Sequence, residues 1–128
     1  MNYVEVSLER ITYNAGTKEF SNNGTDVYRF RLTSQYAAEL EKKAGKNIVE
    51  FIKEFSMNNI VTMLRYMLLW ENPTLSLNKA YEVYDELVLN GYDLQRIQDE
   101  IILEALIASG FFQKEQVEEA KTQREQSE

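Results

Sequence analysis

The chain has 128 residues, 44% hydrophobic, 27% charged and 12% aromatic, with one proline and neither cysteine nor histidine. It reads as one soluble globular domain that buries roughly two-thirds of its unfolded surface, and it excludes thiolate- or imidazole-ligated zinc, a cysteine nucleophile and any histidine-based triad. A net charge of −7 repels phosphate backbones and argues against a nucleic-acid partner.

The first third reads as β. Val4, Val6 and Leu8 alternate with Glu5, Ser7 and Glu9, and Tyr28, Phe30 and Leu32 alternate around Arg29 and Arg31, as in a half-buried sheet. Asn14-Ala15-Gly16 and Ser21-Asn22-Asn23-Gly24 supply turn residues around a short piece containing Phe20, which predicts a hairpin or a three-stranded meander. So small a sheet needs helices over its apolar face.

About five short helices follow, packed as an irregular bundle, so the fold class is mostly α with a small N-terminal β element (α+β). Thr33 or Ser34 caps a helix that runs to Ala44 with Tyr36 and Leu40 buried, and Gly45 closes it. Ile48, Phe51, Ile52 and Phe55 fall on one face of a second. A third, from about Asn58 to Glu71, has the stripe Ile60, Met63, Leu64, Met67 and Leu68, widened by Val61, Leu69 and Trp70. So broad a stripe marks a central helix or one partly covered by a partner. Asn72-Pro73 stops it. Ser76 caps the fourth helix, whose stripe is Leu77, Ala80, Tyr81, Tyr84, Leu87 and Val88 before Asn90-Gly91. Asp93 caps the fifth, which runs from Leu94 to Leu106 and ends at Ser109-Gly110.

The globular domain therefore spans 1–112, with a β region at 1–32 and a helical region at 33–112. From Gln113 to Glu128 only Val117 and Ala120 are apolar, so this stretch reads as a polar, disordered or frayed tail. The start of the chain lacks the basic and apolar blocks of a signal peptide. The most apolar stretches, Ile60 to Trp70 and Ile101 to Phe112, are too short to span a bilayer and carry Arg65 and Glu104. The expectation is a cytoplasmic protein with no membrane partner, in which the sequon Asn23-Gly24-Thr25 is a turn sequence.

Catalytic signatures are weak. Ser76-Leu77-Asn78-Lys79 has the Ser-x-x-Lys spacing of penicillin-recognising acyl transferases, but the companion elements are missing and a serine before an apolar-periodic helix is far more often its cap. Glu82 with Glu86 and Glu100 with Glu104 are carboxylate pairs four apart on one helix face. A bridged di-iron site also requires Glu-x-x-His, and such charges usually mark a solvated face. No phosphate-binding glycine loop is present. Neither a catalytic residue, nor a metal, nor a cofactor is expected.

At the helices a specific likeness emerges. Phe30-Arg31-Leu32-Thr33 leads into Ala38-Glu39-Leu40-Glu41-Lys42-Lys43-Ala44-Gly45-Lys46. Pro73-Thr74-Leu75-Ser76-Leu77 starts a helix containing Tyr81-Glu82-Val83-Tyr84-Asp85-Glu86-Leu87, and Leu94 to Leu106 runs into Ser109-Gly110-Phe111-Phe112 before a polar tail. This ordered set, over roughly Val27 to Phe112, resembles the tail assembly chaperones of long-tailed bacteriophages and prophages of Gram-positive bacteria.

The resemblance implies a non-enzymatic protein of the host cytoplasm, absent from the finished virion. Such proteins bind the long tape-measure protein, keep it soluble and help tail-tube subunits assemble around it. Partners implied are the tape-measure protein and the tail-tube protein, with a homo-oligomer also open. The family's divergence leaves no functional residue to carry over. From the residues themselves, the partner-binding candidates are Met63, Met67, Trp70, Phe111 and Phe112. Methionines, Met57 included, offer adaptable surface, and the aromatics sit beside the chain breakers Pro73 and Gly110. The bland reading makes the methionines and Trp70 ordinary core. Two other classes stay open: a small phage or mobile-element regulator that binds a host protein, and a metal-dependent enzyme built on the carboxylate pairs.

Overall fold

The computed structural model describes residues 2–113 and Glu115; the rest of the expected polar tail lies outside the described residues. Strand β1 (Val4–Asn14) pairs antiparallel with β2 (Glu19–Phe30), from Val4 opposite Phe30 to Asn14 opposite Glu19. At the turn the Asn14 Oδ1 accepts from the N–H groups of Gly16 (2.8 Å) and Thr17 (3.2 Å), and Lys18, left-handed at φ 59°, donates back to the Asn14 carbonyl. This is one hairpin, and the meander alternative is overturned. Ser21-Asn22-Asn23-Gly24, the second expected turn and part of the sequon, stays within β2. There two residues bulge opposite Arg10, between the pairs Glu9–Thr25 and Ile11–Asn22, and Gly24 takes φ 128°. Glycine adopts this positive φ without the Cβ clash that other residues would meet, so the bulge forms there.

The helices are α1 (Ser34–Ala44), α2 (Ile48–Lys53), α3 (Met57–Leu68) and α4 (Leu77–Leu89), followed by a fifth helical stretch over 94–108. Their starts are capped by side chains that accept from the backbone three residues on: Thr33, Asn47, Ser56, Ser76 and Asp93. Both α4 and the fifth stretch close through a left-handed glycine. Gly91 N–H reaches Val88 O and Tyr92 N–H reaches Leu87 O, while Gly110 and Phe111 bond to Ile107 and Leu106 in the same way. This paired arrangement satisfies the last carbonyls.

Three expectations need correction. Helix α2 ends at Lys53, so Phe55 leaves its apolar face and is 48% exposed; Ser56, one residue on, caps α3 and requires an extended backbone. Helix α3 ends at Leu68, ahead of Asn72, and Trp70 sits in the turn beyond it. In α4 the buried residues are Ala80, Val83 and Leu87, while Leu77 and Val88 face solvent.

The fifth stretch is continuous but not uniform. One α turn (Leu94–Arg96) passes into a π-helical segment (Ile97–Ile102) and then back to α (Leu103–Ala108). The wider π turn brings Ile97, Ile101 and Ile102 inward together with Gln98, whose Nε2 donates to the Ile52 carbonyl at 3.2 Å. That bond meets the requirement a buried amide imposes.

Helix α3 is central. It packs against β2, α1, α2, α4 and the π segment, and its residues Ile60, Val61, Met63, Leu64, Tyr66, Met67 and Leu68 are buried. From the hairpin come Val6, Leu8, Phe30 and Leu32, and the Arg31 N–H donates to the Met67 carbonyl where the chain leaves the sheet. Beyond Leu8 the hairpin leaves the core: in β1 from Glu9 and in β2 up to Thr25 all side chains are exposed except Ile11, which is half-buried. The hairpin thus has a docked base and a projecting arm. Among the described residues no helix is long and apolar enough to cross a membrane.

Candidate partner-binding surface

The five residues singled out from the sequence divide in two. Met63 and Met67 are 1% and 0% exposed. They belong to the face of α3 that the hairpin base and neighbouring helices cover, so they present nothing to a partner in this fold, and the broad stripe reflects a central helix. Met57, at the first position of α3, is 48% exposed.

Trp70, by contrast, is half-buried at the hairpin base. Its Nε1–H donates to the Arg29 carbonyl at 3.1 Å, and its ring stacks on Tyr3 with centroids 5.7 Å apart. Arg31 lies over the other partner of this layer, with its guanidinium 5.6 Å from the indole centroid, and Arg29 stands 5.8 Å from the Tyr3 ring. Arg29 also pairs with Glu5 at 3.0 Å and Glu71 at 3.5 Å. These contacts tie the end of α3 to both strands, with Tyr3 and Trp70 both half-buried.

Phe111 and Phe112 follow the closing Gly110. Phe111 is 36% exposed, whereas Phe112 is half-buried and packed against the core. Arg31, which lies over Trp70, shares a cleft with Phe111. The cleft, of about 280 Å³, is lined also by Leu32, Thr33, Ser34 and Ser109, and Leu32 N–H donates to the Ser109 Oγ at 3.1 Å within the same junction. Trp70 and Phe111 therefore flank one arginine at the point where the hairpin enters α1.

A second polar cluster anchors the hairpin to α4. Arg10 grips Asp26 through two bonds of 2.7 and 3.2 Å, and Tyr28 Oη donates to Glu86 Oε1 at 2.7 Å. The Arg10 guanidinium holds the Asp26 carboxyl down to about 2. Burial, and then the facing Asp26, push Glu86 above its ordinary value. Burial and the same glutamate raise the Tyr28 hydroxyl. Glu86 Oε2 is buried without a hydrogen-bond partner.

The other candidate residues have structural partners. Ser76 Oγ accepts from Lys79 N–H at 3.0 Å as the cap of α4, and the Lys79 amine faces Glu82 at 3.6 Å. Glu86 is engaged as above, and Glu100 pairs with Arg96. Among the described residues no three acidic side chains converge as a metal site requires.

Two features escaped the sequence reading. One is the arm, at whose tip Tyr13 and Phe20 are 51% and 65% exposed and pack together at 4.8 Å. Its signal was present: the apolar alternation of β1 ceases at Leu8, and Arg10, Thr12 and Asn14 take the core-facing register. The other is an open groove along α3. Compared with family models, curated proteins and solved structures, the chain matches none.

Proposed function

We propose that the protein is a non-enzymatic tail assembly chaperone of a long-tailed phage or prophage. In this reading it acts in the host cytoplasm, binds the tape-measure protein, keeps it soluble and assists assembly of the tail tube around it. The observation that carries the reading is where the resembling segments fall. Phe30-Arg31-Leu32-Thr33 is the passage from hairpin to α1, Ser76-Leu77 is the capped start of α4, and Ser109-Gly110-Phe111 is the glycine closure of the last helix. They are junctions of the architecture, and two of the three meet around Arg31.

The aromatic layer there suits a client that must be held reversibly. An exposed aromatic beside a guanidinium contributes apolar area and a directional charge without a deep pocket. The test is co-expression with the tape-measure protein encoded in the same gene cluster. The expected outcome is transfer of that protein to the soluble fraction and co-purification of the two. Phe111→Ser should weaken co-purification with the circular dichroism spectrum unchanged, because Phe111 is surface while Phe112 packs inward. No effect of the wild-type protein on tape-measure solubility at matched expression rejects the reading.

A further inference from the structure

Helix α3 has a second face that the fold covers only in part: Asn58 is exposed, Asn59, Thr62 and Arg65 are half-buried, and Tyr66 closes its inner end. Asn58, Asn59, Thr62, Arg65 and Tyr66 follow one another along it and form one wall of an open groove of about 420 Å³. At 1.5 Å per residue this wall is about 12 Å long, a little over two helical turns. The opposite wall is α1, through Leu40, Lys43 and Ala44. Phe51 contributes to the lining and Leu77, 42% exposed, to the rim.

The charge of this groove runs against that of the chain. The protein carries −7, yet the charged residues lining the groove are Lys43 and Arg65, with no carboxylate among them. Neither forms an ion pair among the described residues. Arg65 is also held in place: its Nε donates to the Leu75 carbonyl at 2.9 Å and its guanidinium lies 5.6 Å from the Tyr66 centroid. A guanidinium fixed through Nε and ring contact, with its terminal nitrogens unengaged, is arranged to take a carboxylate. The groove runs between two helices and offers no strand edge, which fits the laying-in of a third helix.

We propose that this groove docks an acidic amphipathic helix of a partner protein. Arg65 receives a carboxylate, Lys43 adds long-range attraction, and the exposed Leu77 with the half-buried Ala44 receives the apolar side chains between the acids. The proposal deepens the client-binding reading, since the helix it seats is the client's, and the two can fail separately.

The probe is a fluorescein-labelled, alanine-based helical peptide of about 16 residues, near the shortest that forms a helix alone. It carries leucines at i, i+4 flanked by glutamates, and a matched peptide has lysine for each glutamate. With the full chain, the glutamate peptide is expected to bind in the micromolar range, at least about tenfold more tightly than the lysine peptide, and more weakly as salt rises. Lys43→Glu, at an exposed position, should remove most of that preference, and Arg65→Gln should weaken glutamate-peptide binding by about tenfold. Equal binding of the two peptides, or binding unaffected by Lys43→Glu, overturns the proposal. So does a dimer of the protein that Lys43→Glu dissociates, which would make a second copy the occupant. Charge-selective peptide binding without any effect on tape-measure solubility upholds the groove and rejects the chaperone reading. Solubilisation of the client that survives both substitutions, with no peptide preference, does the reverse.

Discussion

The side-chain amide of Asn90 pairs with both backbone groups of Glu9: its Oδ1 accepts from the Glu9 N–H at 2.9 Å and its Nδ2 donates to the Glu9 carbonyl at 2.9 Å. The same Nδ2 reaches the Glu86 carbonyl at 2.8 Å. One residue at the end of α4 thus occupies the edge of β1 as a strand partner would, at the position where the hairpin leaves the core. Strand edges left open invite pairing with other chains, and the amide closes this one locally.

Replacing Asn90 with alanine should therefore cost about 1–2 kcal/mol, the range for losing hydrogen bonds at a partly exposed site. The loss should centre on the hairpin. Urea unfolding measures the total, and hydrogen exchange should show the Glu9 amide opening faster while those of α3 follow global stability alone. An unchanged Glu9 amide contradicts the role.

Glu86 gives a pH dependence of definite sign. Its folded-state value lies above the ordinary 4.5, so the folded protein holds this proton where the unfolded chain releases it. Its contribution is fully present below the ordinary glutamate range and is lost as pH rises through the folded value. Asp26, held down to about 2 by Arg10, acts oppositely: its contribution is present above the ordinary aspartate range and lost as pH falls through its folded value. Glu86→Gln replaces a carboxyl that burial and Asp26 disfavour as an anion with a neutral amide that does not titrate. The variant should melt higher than wild type at pH 7, with the difference shrinking as pH is lowered and the wild-type carboxyl takes up its proton. A difference independent of pH refutes the raised Glu86 carboxyl.

At Trp70 two substitutions separate two contributions. Trp70→Phe removes the bond to the Arg29 carbonyl and retains a ring over Tyr3, with an expected cost of about 1 kcal/mol. Trp70→Ala removes the layer too and should cost about 2–3 kcal/mol, below the range for a fully buried aromatic. Chemical denaturation of both variants checks the order. Equal costs mean that the stacking contributes nothing.

Ser76→Ala should cost about 1 kcal/mol through the lost cap of α4. Thermal melts measure this, and acylation of Ser76 by a β-lactam or reactive ester would contradict its assignment as a cap.

Much of the architecture could be read from local signals. Thr33, Ser76 and Asp93 cap helices where expected, and Gly45, Gly91 and Gly110 end them with positive φ, because caps and closures depend on a few adjacent residues. What depended on distant contacts stayed hidden. A wide apolar stripe on α3 does not distinguish a helix covered by its own chain from one awaiting a partner, and Met63 and Met67 resolve that choice only once the hairpin base lies over them. Nothing in the 3.6-residue period announces the π segment at Ile97–Ile102. Of the surface candidates, Phe111 is exposed and Phe112 turns inward although they are neighbours, since the backbone leaving Gly110 decides which ring reaches the core. The groove is less legible still, because it exists through the separation of α1 and α3.

The bulge opposite Arg10 divides the hairpin into two stretches under different constraints. Up to Leu8 and from Asp26 onward, inserting one residue would flip side chains that the core has already matched. Past Arg10 and up to Thr25 the ladder answers to little except its own turn and the bulge, so chain length is less constrained there. Beyond the Glu9 contact with Asn90 and the Arg10–Asp26 pair, the arm can lengthen, shorten or accept an inserted peptide while the bundle keeps its contacts, which makes it the place in this fold where reach can be varied.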